Sequence, residues 1–173
     1  MVLQTEEDFT MLRYLLSFVA LFGFVVGCGS SSSYKGYAPV TQEEAEAFAK
    51  QLVETTAQGD TSWVLEVGED IDAVAAVCSI GKAEVPSALQ NPADEQRAAW
   101  KAARAQLHQP VADNLQELKF KEVKEQGNTY IAVFDFVFKK SGKNRLNDSE
   151  NHITLLKKED TGKVVIADMG IIR

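Results

Sequence analysis

Between residues 40 and 115 the apolar positions recur at helical spacing, and beyond residue 115 they recur every second residue. Thr41 followed three residues later by Glu44 is a capping box, and Ala45, Phe48, Ala49, Leu52, Val53 and Thr56 then fall on one helical face ending at Gly59. Asp60-Thr61-Ser62 opens a short helix with Trp63, Val64 and Val67, broken by Gly68; Asp70 to Ser79 is a further helical piece. Residues 81–92, with Gly81, Pro86 and Asn91-Pro92, read as a loop. Pro92, Asp94 and Glu95 then suit the start of a helix that turns Trp100, Ala103 and Leu107 inward and stops near His108, before Pro110.

The period then changes to two. Leu118 and Phe120 share one face of a strand reaching Glu125, and Gly127-Asn128 is a tight hairpin turn. Thr129 to Lys140 is apolar on both faces: Tyr130, Ala132, Phe134, Phe136 and Phe138 point one way, and Ile131, Val133, Asp135 and Val137 the other. Such a strand belongs in the middle of a covered sheet. After a polar loop over 141–148, Glu150 to Lys158 and Lys163 to Ile172 form a second hairpin around Asp160-Thr161-Gly162. Helices first and an antiparallel meander second define an α+β domain, with N-terminal helices on a curved antiparallel sheet built mainly by the C-terminal half.

Upstream the pattern is of another kind. In Tyr14 to Gly27 all residues except Ser17, Gly23 and Gly27 are apolar, and none is charged. Fourteen helical residues span about 21 Å, short of a hydrocarbon core about 30 Å thick. The run instead fits the apolar region of a secretory signal, with Arg13 as the preceding positive charge. Glu6, Glu7 and Asp8 are foreign to such a signal; translation from Met11 would remove them and leave Met-Leu-Arg before the run. At its end, Val25-Val26-Gly27-Cys28 resembles the bacterial lipoprotein box. That resemblance implies cleavage before Cys28, a diacylglycerol on its thiol, and often an acylated amino group. Two or more chains, at about 0.8 kcal/mol per buried methylene, hold a protein on a bilayer where one does not. The expected organisation is therefore a signal peptide over 1–27, a lipidated Cys28 with a Ser-rich tether over 28–40, and one domain over 41–173. The expected location is the bacterial cell envelope, lipid-anchored and facing the periplasm.

Charge narrows the partners. The formal net charge is −7; residues 1–27 hold three of the 25 acids and one of the 18 bases, so the remainder is −5. Electrostatically driven nucleic-acid binding is not expected of such a chain. Residues 28–95 carry 12 acids and 3 bases, and residues 96–173 carry 10 acids and 14 bases. Helices solvated by acids and strands edged with lysines are the plain reading of that asymmetry, and a surface polarised towards an envelope partner is the alternative. With Cys28 lipidated, Cys78 has no partner for a disulfide and, in Ala73-Val74-Ala75-Ala76-Val77-Cys78, behaves as a small core hydrophobe. His108 and His152 lack ligand spacing, so no metal is expected; no phosphate loop or serine-nucleophile motif appears, and no cofactor is expected.

The order of elements resembles the nuclear transport factor two-like fold, shared with ketosteroid isomerase. Phe48…Leu52…Gly59-Asp60…Trp63 is similar to its opening helices, and Ile153-Thr154-Leu155-Leu156 with Asp160 to Ile166 to its closing strands. Trp100, Phe134-Asp135-Phe136-Val137-Phe138, Glu150 to Leu155 and Ile172-Arg173 also resemble a family of small secreted bacterial proteins of undefined role. Enzymes of the first family pair a pocket acid or base with a tyrosine, which implies Asp135, His152 or Asp168, with Tyr130, as candidates. Tyr130 and Asp135 alternate onto opposite faces of one strand, which sets them apart. The plain alternative is that Asp135 is a satisfied outer-face carboxylate and His152 an edge residue.

Two functional readings follow. One is a non-enzymatic, tethered module that binds an envelope protein or a small apolar ligand; the other is a lipid-anchored isomerase or hydratase using Asp135 or Asp168. A homodimer through the outer face of the sheet would require Ile131, Val133 and Val137 to be exposed.

Overall fold

The computed structural model describes residues 35–140 and 146–171. The signal, Val25-Val26-Gly27-Cys28, most of the serine tether and Ile172-Arg173 lie outside these residues. Within them the α+β expectation holds. Helices α1 (Gln42–Ala57), α2 (Ile71–Ile80) and α3 (Asp94–Asn114) precede an antiparallel meander of β2 (Leu115–Gln126), β3 (Thr129–Phe138), β4 (Ser149–Lys158) and β5 (Val164–Ile171). The sheet starts earlier than residue 41: Tyr37–Pro39 forms a strand, β1, inside the segment expected to be tether.

The capping box of α1 is present in both directions, with Glu44 N–H donating to Thr41 Oγ1 at 3.2 Å and Thr41 N–H to Glu44 Oε2 at 2.8 Å. The helix buries Ala45, Ala49 and Leu52 against Ala132, Phe134, Phe136 and Phe138 of β3, as the period-two pattern requires. Trp63, on a 3-10 turn over Ser62–Glu66, packs edge-on to Phe136 with ring centroids 6.2 Å apart. Its indole N–H donates to Thr56 Oγ1 at 3.1 Å, which in turn donates to the Leu52 carbonyl at 2.8 Å. A buried indole is thus satisfied without leaving the core.

The second helix takes the other side. Ala73, Ala76 and Ile80 of α2 pack with Tyr37, Leu156 and Ala167, so the sheet is covered on both faces at the β1–β4–β5 corner. Ile131 and Val133, on the face opposite α1, are buried, and Val137 is half-buried. The exposed stripe that a dimer through the outer face requires is therefore not present at these three positions.

The long helix departs from its reading. Its buried residues are Arg104, His108 and Ala112, spaced four apart in line with half-buried Trp100, while Leu107 is 44% exposed. Apolarity misled here because the two polar residues find buried surroundings, one of them an ion pair. The helix also continues through Pro110 to Asn114. An interior proline costs about 3 kcal/mol or more. The last turn is held from outside: Thr61 Oγ1 donates to the Ala112 carbonyl at 2.9 Å, and Lys139 N–H to that of Asn114 at 2.9 Å. Val111, Ala112 and Leu115 also enter the main core.

Strand β4 has two partners on a single edge. β3 pairs with Ser149 to Thr154 and β1 with Leu156 to Lys158, leaving Leu155 opposite the gap between them. Thr129 closes it: its hydroxyl donates to the Leu155 carbonyl at 3.0 Å and accepts from Val40 N–H at 3.4 Å. The residue is buried, so these groups have no water to turn to. Thr129→Val is expected to lower the unfolding free energy by about 1–3 kcal/mol in urea titrations, and Thr129→Ser to retain most of it.

Candidate functional site

Pairing registers place the three acid–base candidates on one face of the sheet, the face opposite α1. Val133 lies opposite His152, Asp135 opposite Glu150, and Asp168 opposite Thr154. They share a face but not a pocket. Asp135 is about half exposed, 3.4 Å from Lys121 Nζ, and Lys121 also bonds Glu150. His152 Nε2 stands 4.0 Å from Glu150 Oε1 without a hydrogen bond, and burial, aided by Lys124, pushes its pKa below the usual histidine value. Asp168 is largely, not fully, covered and is paired with Arg104 of α3. Tyr130 packs towards the main core on the other face.

Asp168 belongs to a network invisible in the linear pattern. Arg104 Nη2 donates to Asp168 Oδ1 at 2.9 Å, with both side chains nearly buried. The Arg104 guanidinium carbon lies 5.7 Å from the centroid of Trp100, whose indole N–H donates to the Gly68 carbonyl at 2.8 Å. Gly68 has φ +60°, and its N–H donates to the Ile166 carbonyl at 3.0 Å, fastening the segment before α2 to the free side of β5. A Cβ here would sit 2.6 Å from Arg104 Nη2. The glycine therefore does more than break a helix: it leaves room for the arginine. The available signal was the four-residue spacing Trp100–Arg104–His108, which puts both bases on the tryptophan's face.

His108, one turn beyond Arg104, is buried. Burial, and secondarily the neighbouring guanidinium, lower its pKa from 6.5 to about 4. Burial also raises the pKa of the Cys78 thiol, in keeping with an inert core cysteine.

A cleft of about 300 Å³ opens between α1, the 3-10 turn, the start of α2 and the β4–β5 hairpin. Phe48, Leu52, Trp63 and Ile166 give it an apolar lining; Asp60, Glu66 and Lys163 bring charge. At one end the Tyr37 hydroxyl donates to Asp70, the residue that caps α2 through a 3.0 Å bond from Asp72 N–H. Burial first, and that bond second, raise the tyrosine's pKa, so its proton stays in place. Lys158 Nζ lies 5.9 Å from the centre of the same ring. None of Asp135, His152 and Asp168 lines this cleft. An apolar interior with charges of both signs can hold an amphiphilic group, with the Tyr37–Asp70 pair at its end.

Among the described residues no group of three or more His, Cys, Asp or Glu side chains could hold a metal ion, and no helix is long and apolar enough to cross a membrane. Compared with protein-family models, with characterised proteins and with solved structures, the chain gives no match.

Removing one side of the buried pair leaves an uncompensated charge. Asp168→Ala is expected to cost about 3–5 kcal/mol of unfolding free energy, whereas Arg104→Met combined with Asp168→Leu costs less than half as much; urea titration compares them. His108 gives a pH signature of definite sign. Its folded-state pKa is depressed, so the unfolded chain binds the extra proton between pH 6.5 and about 4. The stabilisation is complete above pH 6.5 and lost as pH falls through that window. Midpoints measured at pH 7 and pH 4.5 are expected to differ less in His108→Leu than in the parent.

Proposed function

We propose that this protein is a lipid-anchored module of the bacterial cell envelope that binds rather than catalyses. The observation carrying the anchor is the run Tyr14 to Gly27 ending in Val25-Val26-Gly27-Cys28, followed by Ser30 to Ser33. An apolar stretch too short to span, closed by a small residue and a thiol, suits processing and acylation at Cys28.

Binding is favoured over catalysis because Asp168 and Asp135 are engaged in ion pairs, with Arg104 and Lys121, and His152 lies outside the cleft. Proton abstraction needs a base and a donor converging on one substrate atom, and Tyr130 and Asp135 occupy opposite faces. The cleft beside Tyr37 is the surface that a small ligand with an apolar body, or an apolar side chain of an envelope protein, would use. The nuclear transport factor two-like relationship is part of the same proposal, supported by the order of helices before an antiparallel meander.

Metabolic labelling with palmitate in a bacterial host tests the anchor. Wild type is expected to carry label and to partition with membranes, and Cys28→Ala to lose both. Equal labelling of the two proteins would refute it.

A further inference from the structure

Strand β2 ends the sheet, and among the described residues nothing pairs with its outer edge. Exposed edges are ordinarily blunted by lysines or by a bulge that bends the strand away, and β2 has both, at Lys119, Lys121 and Lys124 and between Phe120 and Glu122. This one carries both signs in a set order. Glu117, Lys119, Glu122 and Lys124 pair with Val137, Asp135, Val133 and Ile131 of β3, so all four project from the face opposite α1. Neighbours already attract along the strand, at 3.5 Å for Lys119–Glu117 and 2.8 Å for Lys124–Glu122. Leu118, Phe120 and Val123 occupy the other face.

The extra residue that lets Glu117 and Lys124 share a face is Lys121, bulged between Phe120 and Glu122. Without it, positions seven apart in a strand would point to opposite sides. With it, the sequence of charges reads the same in the antiparallel direction with the signs exchanged. We propose that two copies of this chain associate edge to edge through β2, antiparallel, about a two-fold axis between Phe120 and Lys121.

In this register Glu117 faces Lys124 of the partner subunit, Lys119 faces Glu122 of the partner subunit, and symmetry repeats both pairs. On the opposite face Leu118 stays buried in its own core, and the two bulges lie against each other, so the ladder stays in step on both sides of the axis. A slip by two residues in one direction sets Glu117 against Glu122 of the partner subunit; in the other it sets Lys119 against Lys124 of the partner subunit. Both put like charges together, so the charge order selects one register. Lys121 is turned to Asp135 and Glu150 of its own chain, which keeps its ammonium from the axis. The contact is isologous and closes on itself as a dimer, and a strand in the wrong register meets like charges. It requires neither a ligand in the cleft nor an acylated cysteine.

Charge exchange across the axis tests it. The full chain, purified in detergent, is analysed by sedimentation at several concentrations. Wild type is expected to dimerise reversibly. Lys119→Glu and Glu122→Lys are each expected to weaken the dissociation constant about tenfold or more, since each sets like charges opposite one another twice. The double variant Lys119→Glu/Glu122→Lys restores opposite signs and is expected to return to within about threefold of wild type. Thermal midpoints verify that these exposed substitutions leave the fold intact. A monomeric wild type, a dimer indifferent to either single change, or a double variant no tighter than the singles would each overturn the proposal.

Discussion

The fold hangs on how β4 is satisfied. It is bonded to β5 along one edge and to two strands end to end along the other, one of them only three residues long. A strand so buried has no solvent to complete its ladder, and the break between β3 and β1 exposes one carbonyl at the worst place, in the apolar interior. The Thr129 hydroxyl mends the break and also receives the backbone of Val40 just before α1 begins. One side chain thereby joins the sheet to the point where the first helix enters the core.

The same economy recurs at the other face. The apolar residues in the middle of the third helix are mostly alanines, and what docks it there is a guanidinium held over an indole and neutralised by a carboxylate from β5. Such an ion pair adds little net stability over apolar packing of equal volume, yet it tolerates few alternative geometries. Gly68 is the geometric condition for it, since any side chain there would occupy the arginine's place.

Much of this architecture was legible in the pattern of residues. The capping box at Thr41, the turn at Gly127-Asn128 and the phenylalanine face of β3 follow from local rules that tertiary structure did not override. Three features escaped. β1 is too short to have a period, and its Tyr37-Ala38-Pro39 gains strand geometry only from β4. The buried stripe of α3 was hidden because hydropathy counts Arg104 and His108 as surface residues, whatever partners the fold gives them. Pro110 reads locally as a stop, and contacts distant in sequence carry the helix past it. The candidate acids were found as residues but not as a site, because register aligned them on one face while their neighbours claimed each separately. The cleft beside Tyr37 was not foreseen, since its walls come from segments more than a hundred residues apart.

The position of β1 also determines how the domain responds to mechanical load. A pull on the chain ahead of residue 37 enters the structure through the Gly36 carbonyl and the pairings of β1 to β4, the Tyr37–Asp70 bond and the packing of Tyr37 on α2, before it reaches the main core at Val40. β1 has three paired residues where each ladder of the meander has six or more, so tension from this side meets β1 before the meander. Release of β1 would free Tyr37 from the end of the cleft while β2 to β5 stay folded, so tension on the leading segment reshapes the cleft before it unfolds the sheet.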